Sequence, residues 1–402
     1  MRILFITARP PWPGRRGDQA RTAGLAEALA SRHTIRVVAQ QWPGFTTCDP
    51  PAGIEVDIAP ISRPSIARGL FSAFRRPVQV ALHDQPSFHD VVRATVADFQ
   101  PDVAVVVLSR IGDVMEHLAG IPTVLDLVDA LALNMSQRGV RQPFLQRFWN
   151  SEARRINSWD RSLLRRVRFA TVVSERDRRI LVGSDDSLSD VVRVVPFGLP
   201  VPRQDPMDVG RHPVVVLTGN LGYFPTIDGA RWFGERVWPR VRRFVPEAEW
   251  WLAGARPAAT VQRLARLPGV RLVPSPDNLE SILRQGAVAI APLKAGSGTP
   301  IKILEAMAAR VPVVTTSAGR AGLDELPSDA IHSADTSEAF ARAVVRLLEE
   351  RELGHRTAMA AWRWLVGRHE GLAVAQYFER ILVESLERRS RDTQDMTTTV
   401  GF

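Results

Sequence analysis

The feature that most restricts the fold is a series of short, near-continuous Val/Ile/Leu runs spaced by helix-length segments. In the first half they fall at residues 1–7, 35–39, 54–58, 103–108, 123–128 and 170–174. Runs that are apolar at every position, rather than every second one, mark strands covered on both faces. A parallel sheet between two layers of helices provides that cover. Residues 18–31, with Ala20, Ala23, Gly24 and Leu25 to Leu29 as a packing stripe, supply the first helix. Residues 198–212 are polar and proline-rich without periodicity, which predicts a linker. The pattern then restarts, with strands at 214–218, 249–253, 270–273, 288–292, 311–316 and 330–333, and helices at 227–244, 258–267, 278–284 and 300–310.

A chain of 402 residues, 45% of them hydrophobic, exceeds one ordinary core. The expectation is therefore an α/β protein of two doubly wound, Rossmann-like domains, at 1–197 and 213–387, with 198–212 between them. Helix-period stripes at 337–350 and 371–386 place two C-terminal helices as covers on the second domain. Residues 388–402, charged and then Thr-rich, read as a disordered tail.

The net charge of +9 favours anionic partners. A single cysteine, Cys48, excludes an internal disulfide and any multi-cysteine metal site, and fits a reducing compartment. The apolar run at 3–8 is too short for a secretory leader, and no stretch approaches the roughly 18 apolar residues of a spanning helix. A cytoplasmic protein is expected, with the inner face of the cell membrane as a further location. The eight histidines show no His-x3-His pair, and no Asp-x-Asp triplet occurs, so no metal site is expected. There is no P-loop, and Gly296-Ser-Gly298 lacks the third glycine of a dinucleotide fingerprint.

The most informative stretch is residues 291–315, the end of a buried strand, a glycine loop, a helix and the next strand. Thr299 is placed to cap the helix, with Pro300 in its first turn. Gly296 and Gly298 leave backbone N–H groups and the positive end of the helix dipole open to an anion such as a diphosphate. Lys302 and Glu305, three apart, share a helix face. An ordinary strand-to-helix connection carrying a surface ion pair is the alternative.

The run Gly296-Ser-Gly-Thr-Pro-Ile-Lys-Ile-Leu-Glu-Ala-Met-Ala-Ala-Arg-Val-Pro-Val-Val314 resembles the donor-binding signature of retaining, family-4-type GT-B glycosyltransferases, particularly those of exopolysaccharide clusters. Gly17-Asp18, Val195-Pro-Phe-Gly198 and residues 217–228 agree with it. The resemblance implies two Rossmann-like domains facing across a cleft, with an acceptor bound by the first and a nucleotide-diphosphate sugar by the second. It implies sugar transfer to a hydroxyl of a glycan, lipid-linked glycan or small molecule, with retention and with neither metal nor cofactor. Glu305 then holds the ribose hydroxyls, Gly298 and Thr299 face the diphosphate, Lys302 neutralises the leaving phosphate, and residues 272–277 read the base.

Three positions depart from the family pattern. Ser297 stands where the first glutamate of a paired motif is expected. The loop Gly219-Asn220 lacks the usual Arg/Lys pair, leaving Asn220 to contact the donor and Lys302 and Arg320 to supply charge. Val128 stands near an expected histidine with Asp129 beside it. Asp129 has two readings, a cleft residue acting on the acceptor hydroxyl or a cap for the next helix. Asp126 is weighed for a cleft role with less support. Gly17 and Asp18 are either turn residues or acceptor-side contacts. A non-catalytic nucleotide-sugar-binding protein is the alternative function.

Nine arginines between Arg138 and Arg168 alternate with Phe144, Phe148, Trp149 and Trp159, and residues 63–76 repeat the pattern with Phe71 and Phe74. Such surfaces suit an anionic leaflet, although solvated helices packed on the sheet give the same composition. No nucleic acid is expected.

Overall fold

The computed structural model describes the whole chain except residues 15, 44–47, 142, 202–211, 277, 295–297 and 400–402. Met1–Gly198 together with Gly371–Phe402 form one compact unit, and Leu199–Glu370 form the other. Most of the expected linker therefore lies outside the described residues.

In the first unit, β1 (Arg2–Thr7), β2 (Thr34–Gln41), β3 (Ile54–Pro60), β4 (Val103–Val107), β5 (Thr123–Val128), β6 (Phe169–Val172) and β7 (Val192–Val194) make one sheet in the order 3-2-1-4-5-6-7. Every pairing is parallel. Ile3, Leu4, Phe5 and Ile6 are wholly buried, as an all-apolar strand demands. β7 was not expected. Its three residues carry a central Arg193, whose guanidinium lies over the Phe169 ring, 5.4 Å from its centroid.

The second unit holds β8 (Val214–Thr218), β9 (Glu249–Gly254), β10 (Val270–Pro274), β11 (Val288–Ala291), β12 (Val313–Thr315) and β13 (His332–Ser333), parallel in the order 10-9-8-11-12-13. Its core centres on Phe233, Trp238, Trp250 and Phe340, with Phe233 edge-on to Trp250 at 4.8 Å. The expected 227–244 helix is a helical run broken by a π turn, Phe233–Val237, between Phe224–Trp232 and Trp238–Phe244. Pro239 has no N–H for an ordinary i→i−4 bond, and Trp238 N–H reaches back to the Phe233 carbonyl instead.

Two expectations about the C-terminus are corrected. The last helix, Gly371–Thr399, belongs to the first unit, where Val374, Phe378, Ile381 and Leu382 join its core. It packs on the Gly17–Ala30 helix, and Glu379 pairs with Arg32 and with His33. An apolar stripe shows that a helix face is buried and is silent about which sheet buries it. The helix also continues through most of the expected disordered tail, because Glu387 to Arg391 contains good helix formers and no breaker. The cover left on the second unit includes Ser337–Glu349 and Arg351–His369, the latter not anticipated.

Asp126 is a structural residue. It is 1% exposed and accepts from Arg21 Nε at 2.8 Å and Thr171 Oγ1 at 2.7 Å. Arg21 Nη1 also donates to the Val195 and Pro196 carbonyls. The pair fastens the first helix to β5 and to the chain leaving β7.

Phe378→Ala is expected to cost about 3–5 kcal/mol. Hydrogen exchange should accelerate in β1 and β4 and leave β8 and β9 unchanged; equal acceleration in β8 would contradict the assignment of the helix.

Candidate active site

In each unit the strand order reverses between two neighbours, β1 and β4 in the first and β8 and β11 in the second. Loops leaving such strands at their carboxyl ends diverge and open a crevice. Of the expected site residues, Gly17 and Asp18 follow β1, Gly219 and Asn220 follow β8, and Gly298, Thr299, Lys302 and Glu305 follow β11, whereas Asp129 follows β5, the next strand over from β4.

In the second unit, β8 ends at Thr218 and turns at Gly219, whose φ of +116° suits glycine. A Cβ at Gly254, at the end of β9, would lie 1.7 Å from the Gly219 carbonyl oxygen, so this approach requires glycine. A Cβ on Gly219 would lie 3.4 Å from both Cε and Nζ of Lys302. The ammonium therefore rests against bare backbone. Asn220 turns its side chain inward to the loop, where Oδ1 accepts from Gly222 N–H at 3.0 Å.

Lys302 lies in the first turn of Ile301–Ala308, the helix after β11. Its Nζ donates to Thr226 Oγ1 at 3.0 Å. Burial lowers its pKa to about 8, against the opposing charge of Glu305. Burial raises the Glu305 carboxyl, opposed by Lys302. Among the described residues, no N–H or O–H donates to the Glu305 side chain. A half-buried carboxylate in that condition is suited to two hydroxyls on adjacent carbons. The two residues are brought together as the helix spacing implied.

Thr299 does not cap the helix. Pro300 is the N-cap, and Thr299 Oγ1 donates to the Gly322 carbonyl at 2.9 Å. Gly298, at φ +69°, packs closely on Gly322, where a Cβ would meet the Gly298 oxygen at 2.3 Å. Arg320 donates to the Leu326 carbonyl at 2.9 Å. Gly296, Ser297 and Asp277 lie outside the described residues. Thr226 carries no signal of its own in the sequence beyond lying within residues 217–228; only the fold sets its hydroxyl beside Lys302.

In the first unit, Gly17 opens the first helix and Asp18 is held by Arg9, whose Nη1 reaches Oδ1 and Oδ2 at 3.0 and 2.9 Å. Val128 has φ +65° and Leu108 φ +73°, both in the left-handed region that branched side chains avoid. These strained ends of β5 and β4 immediately precede Asp129 and the Ser109-Arg110 pair, and such strain gathers at functional sites. Arg110 and Asp160 were also missed. Burial lowers Arg110 to about 10, partly offset by the charges of Asp18 and Asp129. Burial raises the Asp160 carboxyl to about 7; a hydrogen bond with Ser109 and the charge of Arg110 oppose the rise, and Asp129 adds to it. Asp160 Oδ1 and Arg110 Nε are buried without a hydrogen-bond partner among the described residues. No motif marks Asp160, which sits inside an Arg-rich helix, Gln146–Leu164.

Because its folded pKa lies above the ordinary carboxyl value of 3.8, Asp160 keeps a proton that the unfolded chain releases. Its contribution to stability is lost as pH rises from about 4 through about 7. Denaturant midpoints should fall over that range more steeply in the wild type than in Asp160→Asn. Parallel curves would refute the assignment.

Residues 212–350 match the family described as Glycosyl transferases group 1. Sucrose-phosphate synthase of Thermosynechococcus elongatus superposes with a TM-score of 0.73 at 14% identity, covering 96% of this chain and 99% of that one. HepE of Anabaena, solved with UDP and glucose, gives 0.64 at 15% identity over 95% and 99%. WaaG, a glycosyltransferase involved in lipopolysaccharide biosynthesis, gives 0.63 at 15% identity over 94% and 99%. No curated protein matches the sequence. Residues 212–350 thus form a glycosyl transferases group 1 domain within a chain of GT-B fold, and the protein is a glycosyltransferase.

Proposed function

We propose that the enzyme moves a sugar, with retention and without a metal ion in the chemical step, from a nucleotide-diphosphate sugar to a hydroxyl of a glycan or lipid-linked glycan. The observation that carries this reading is the half-buried Lys302 held by Thr226 against the bare backbone of Gly219, with Glu305 one helical turn on. HepE, the Anabaena structure holding UDP and glucose, shares this fold and supports the donor class.

In this reading Glu305 accepts from both ribose hydroxyls. The Gly298 and Thr299 backbone and the start of the Ile301–Ala308 helix face the diphosphate, with Gly219, Asn220 and Ser297 lining the rest of the donor. As the bond from the anomeric carbon to the phosphate oxygen breaks, negative charge grows on the diphosphate. Lys302 in its ammonium form stabilises that charge, an effect commonly worth a few kcal/mol per well-placed donor. The acceptor hydroxyl adds to the same face of the sugar, and its proton passes to the departing phosphate oxygen. Asp129, with Gly17 and Asp18 of the same unit, orients that hydroxyl.

Glu305→Ala is expected to lower kcat/KM at least about 100-fold, the worth of ~3 kcal/mol for two hydrogen bonds to a charged group, with an unchanged circular dichroism spectrum. Full activity would remove the donor assignment. Lys302, with its pKa near 8, gives up its proton above that pH, so calorimetric affinity for a nucleoside diphosphate should weaken from pH 7.5 to 9.5. Lys302→Arg should flatten the dependence.

A peripheral contact with anionic membrane is also proposed. Phe71, Phe74 and Phe144 are 83%, 89% and 84% exposed, on or beside basic segments of the first unit, and Phe148 is half exposed. Arg155 Nη2 bonds the carbonyls of Ala73 and Arg76, which places the Arg63–Ser72 and Gln146–Leu164 helices in one neighbourhood. No helix among the described residues is long and apolar enough to cross a membrane. The chain should float with vesicles containing phosphatidylglycerol and not with phosphatidylcholine alone, and Phe71→Ser with Phe74→Ser should reduce flotation. Equal flotation with both lipids would count against the contact.

A further inference from the structure

A second cluster of chemistry-bearing side chains lies in the first unit, where the helix Pro86–Phe99 meets the 3-10 segment Ser109–Leu118. His89 comes from the start of the helix, and Glu116 and His117 from the end of the segment. His89 Nδ1 is 2.8 Å from His117 Nε2. One Glu116 carboxylate oxygen, Oε1, lies 3.5 Å from the first of these atoms and 3.4 Å from the second. Three ligand atoms around a tetrahedral zinc ion, with bonds of about 2.0–2.1 Å, stand ~3.3 Å apart. The observed triangle is close to that, and the two rings cross at 82°, so they approach from different directions.

The surroundings fit a metal ligand as well as the triangle does. His89 Nε2 lies 2.9 Å from Asp84 Oδ1. That carboxylate accepts a hydrogen bond from Nε2–H and so leaves the Nδ1 lone pair directed at the triangle, the usual arrangement behind a metal-bound histidine. Asp84 is fixed in turn by Arg76 at 2.8 Å, and Arg76 also holds Asp113. The two imidazoles are 13% and 16% exposed and Glu116 is 63% exposed, so the triangle is walled on the histidine side and open to solvent on the other.

We propose that His89, His117 and Glu116 bind one zinc-class divalent ion per chain, with Asp84 orienting His89 and a water in the fourth position. Two imidazoles and one carboxylate favour zinc, cobalt or nickel over magnesium or calcium, which prefer oxygen donors. The ion would clip the Pro86–Phe99 helix to the far end of the segment that begins at Ser109-Arg110. It is a brace for that segment, outside the transfer chemistry.

The test uses the full, untagged chain, stripped with EDTA and titrated with Zn²⁺ against a chromophoric chelator. One ion per chain with a sub-micromolar Kd is expected, and Co²⁺ in its place should give the intense visible absorption of a four-coordinate site. His89→Gln and His117→Gln should each weaken binding at least about 100-fold, and Asp84→Asn roughly 10- to 100-fold. Glu116→Gln, at an exposed position, serves where a histidine variant fails to fold, and should also weaken binding. Glu305→Ala should bind Zn²⁺ like the wild type, which separates this site from the donor site. An absence of stoichiometric binding in the wild type, or undiminished binding in the His89, His117 and Glu116 variants, would overturn the proposal.

Discussion

Parallel pairing governs this molecule. A parallel strand cannot turn back on its neighbour, so every strand must leave by the same edge and return through a crossover on one face. All carboxyl ends of a sheet therefore gather along one edge, and the reversal of strand order opens that edge at a single place. Gly219 after β8 and Lys302 after β11 flank that place in one sheet, and Arg9 after β1 and Arg110 after β4 flank it in the other. Residues far apart in sequence are neighbours in a site because the pairing leaves no other exit.

The two buried charge sets show how structural and chemical groups differ within one fold. Asp126 and Arg21 lie at 1% side-chain exposure and are held by each other, by Thr171 and by two backbone carbonyls. Breaking such a pair strands a charge in the core, and its role is to fix an arrangement. Lys302 and Asp160 are less fully satisfied, and burial moves both toward neutrality, to about 8 and about 7. Groups poised near physiological pH by burial are the ones available to chemistry.

The central strands were legible because a twice-covered strand must be apolar at every position, as β4 and β11 are, and as β1 and β8 are apart from their ends. β3 and β10, at the sheet edges, mix apolar with charged residues and were legible as Val/Ile/Leu-rich runs. β7 escaped because three residues with a central arginine make no run. The Lys302–Glu305 pair was legible because both lie on one helix and periodicity fixes their relation. Thr226, Arg110 and Asp160 were not, since they meet their partners only through the fold. The histidines illustrate the same limit. No local spacing pairs them, yet a ring nitrogen of His89 and one of His117, 28 residues apart, stand 2.8 Å from each other. In the sequence Val128 stands out only as the residue near an expected histidine, because nothing in a residue's name reports a positive φ.

The chain crosses between its units twice, at Gly198–Leu199 and at Glu370–Gly371, and Leu199 N–H bonds the His369 carbonyl where the two crossings meet. The order of synthesis gives this return a consequence. The second unit is complete in sequence once Glu370 has been made, whereas the first, begun some 370 residues earlier, still lacks the helix that supplies Val374, Phe378, Ile381 and Leu382. On the ribosome the later unit can close before the earlier one. Until then the first sheet carries an apolar face awaiting its cover, a state in which chains are open to misassembly and to chaperones.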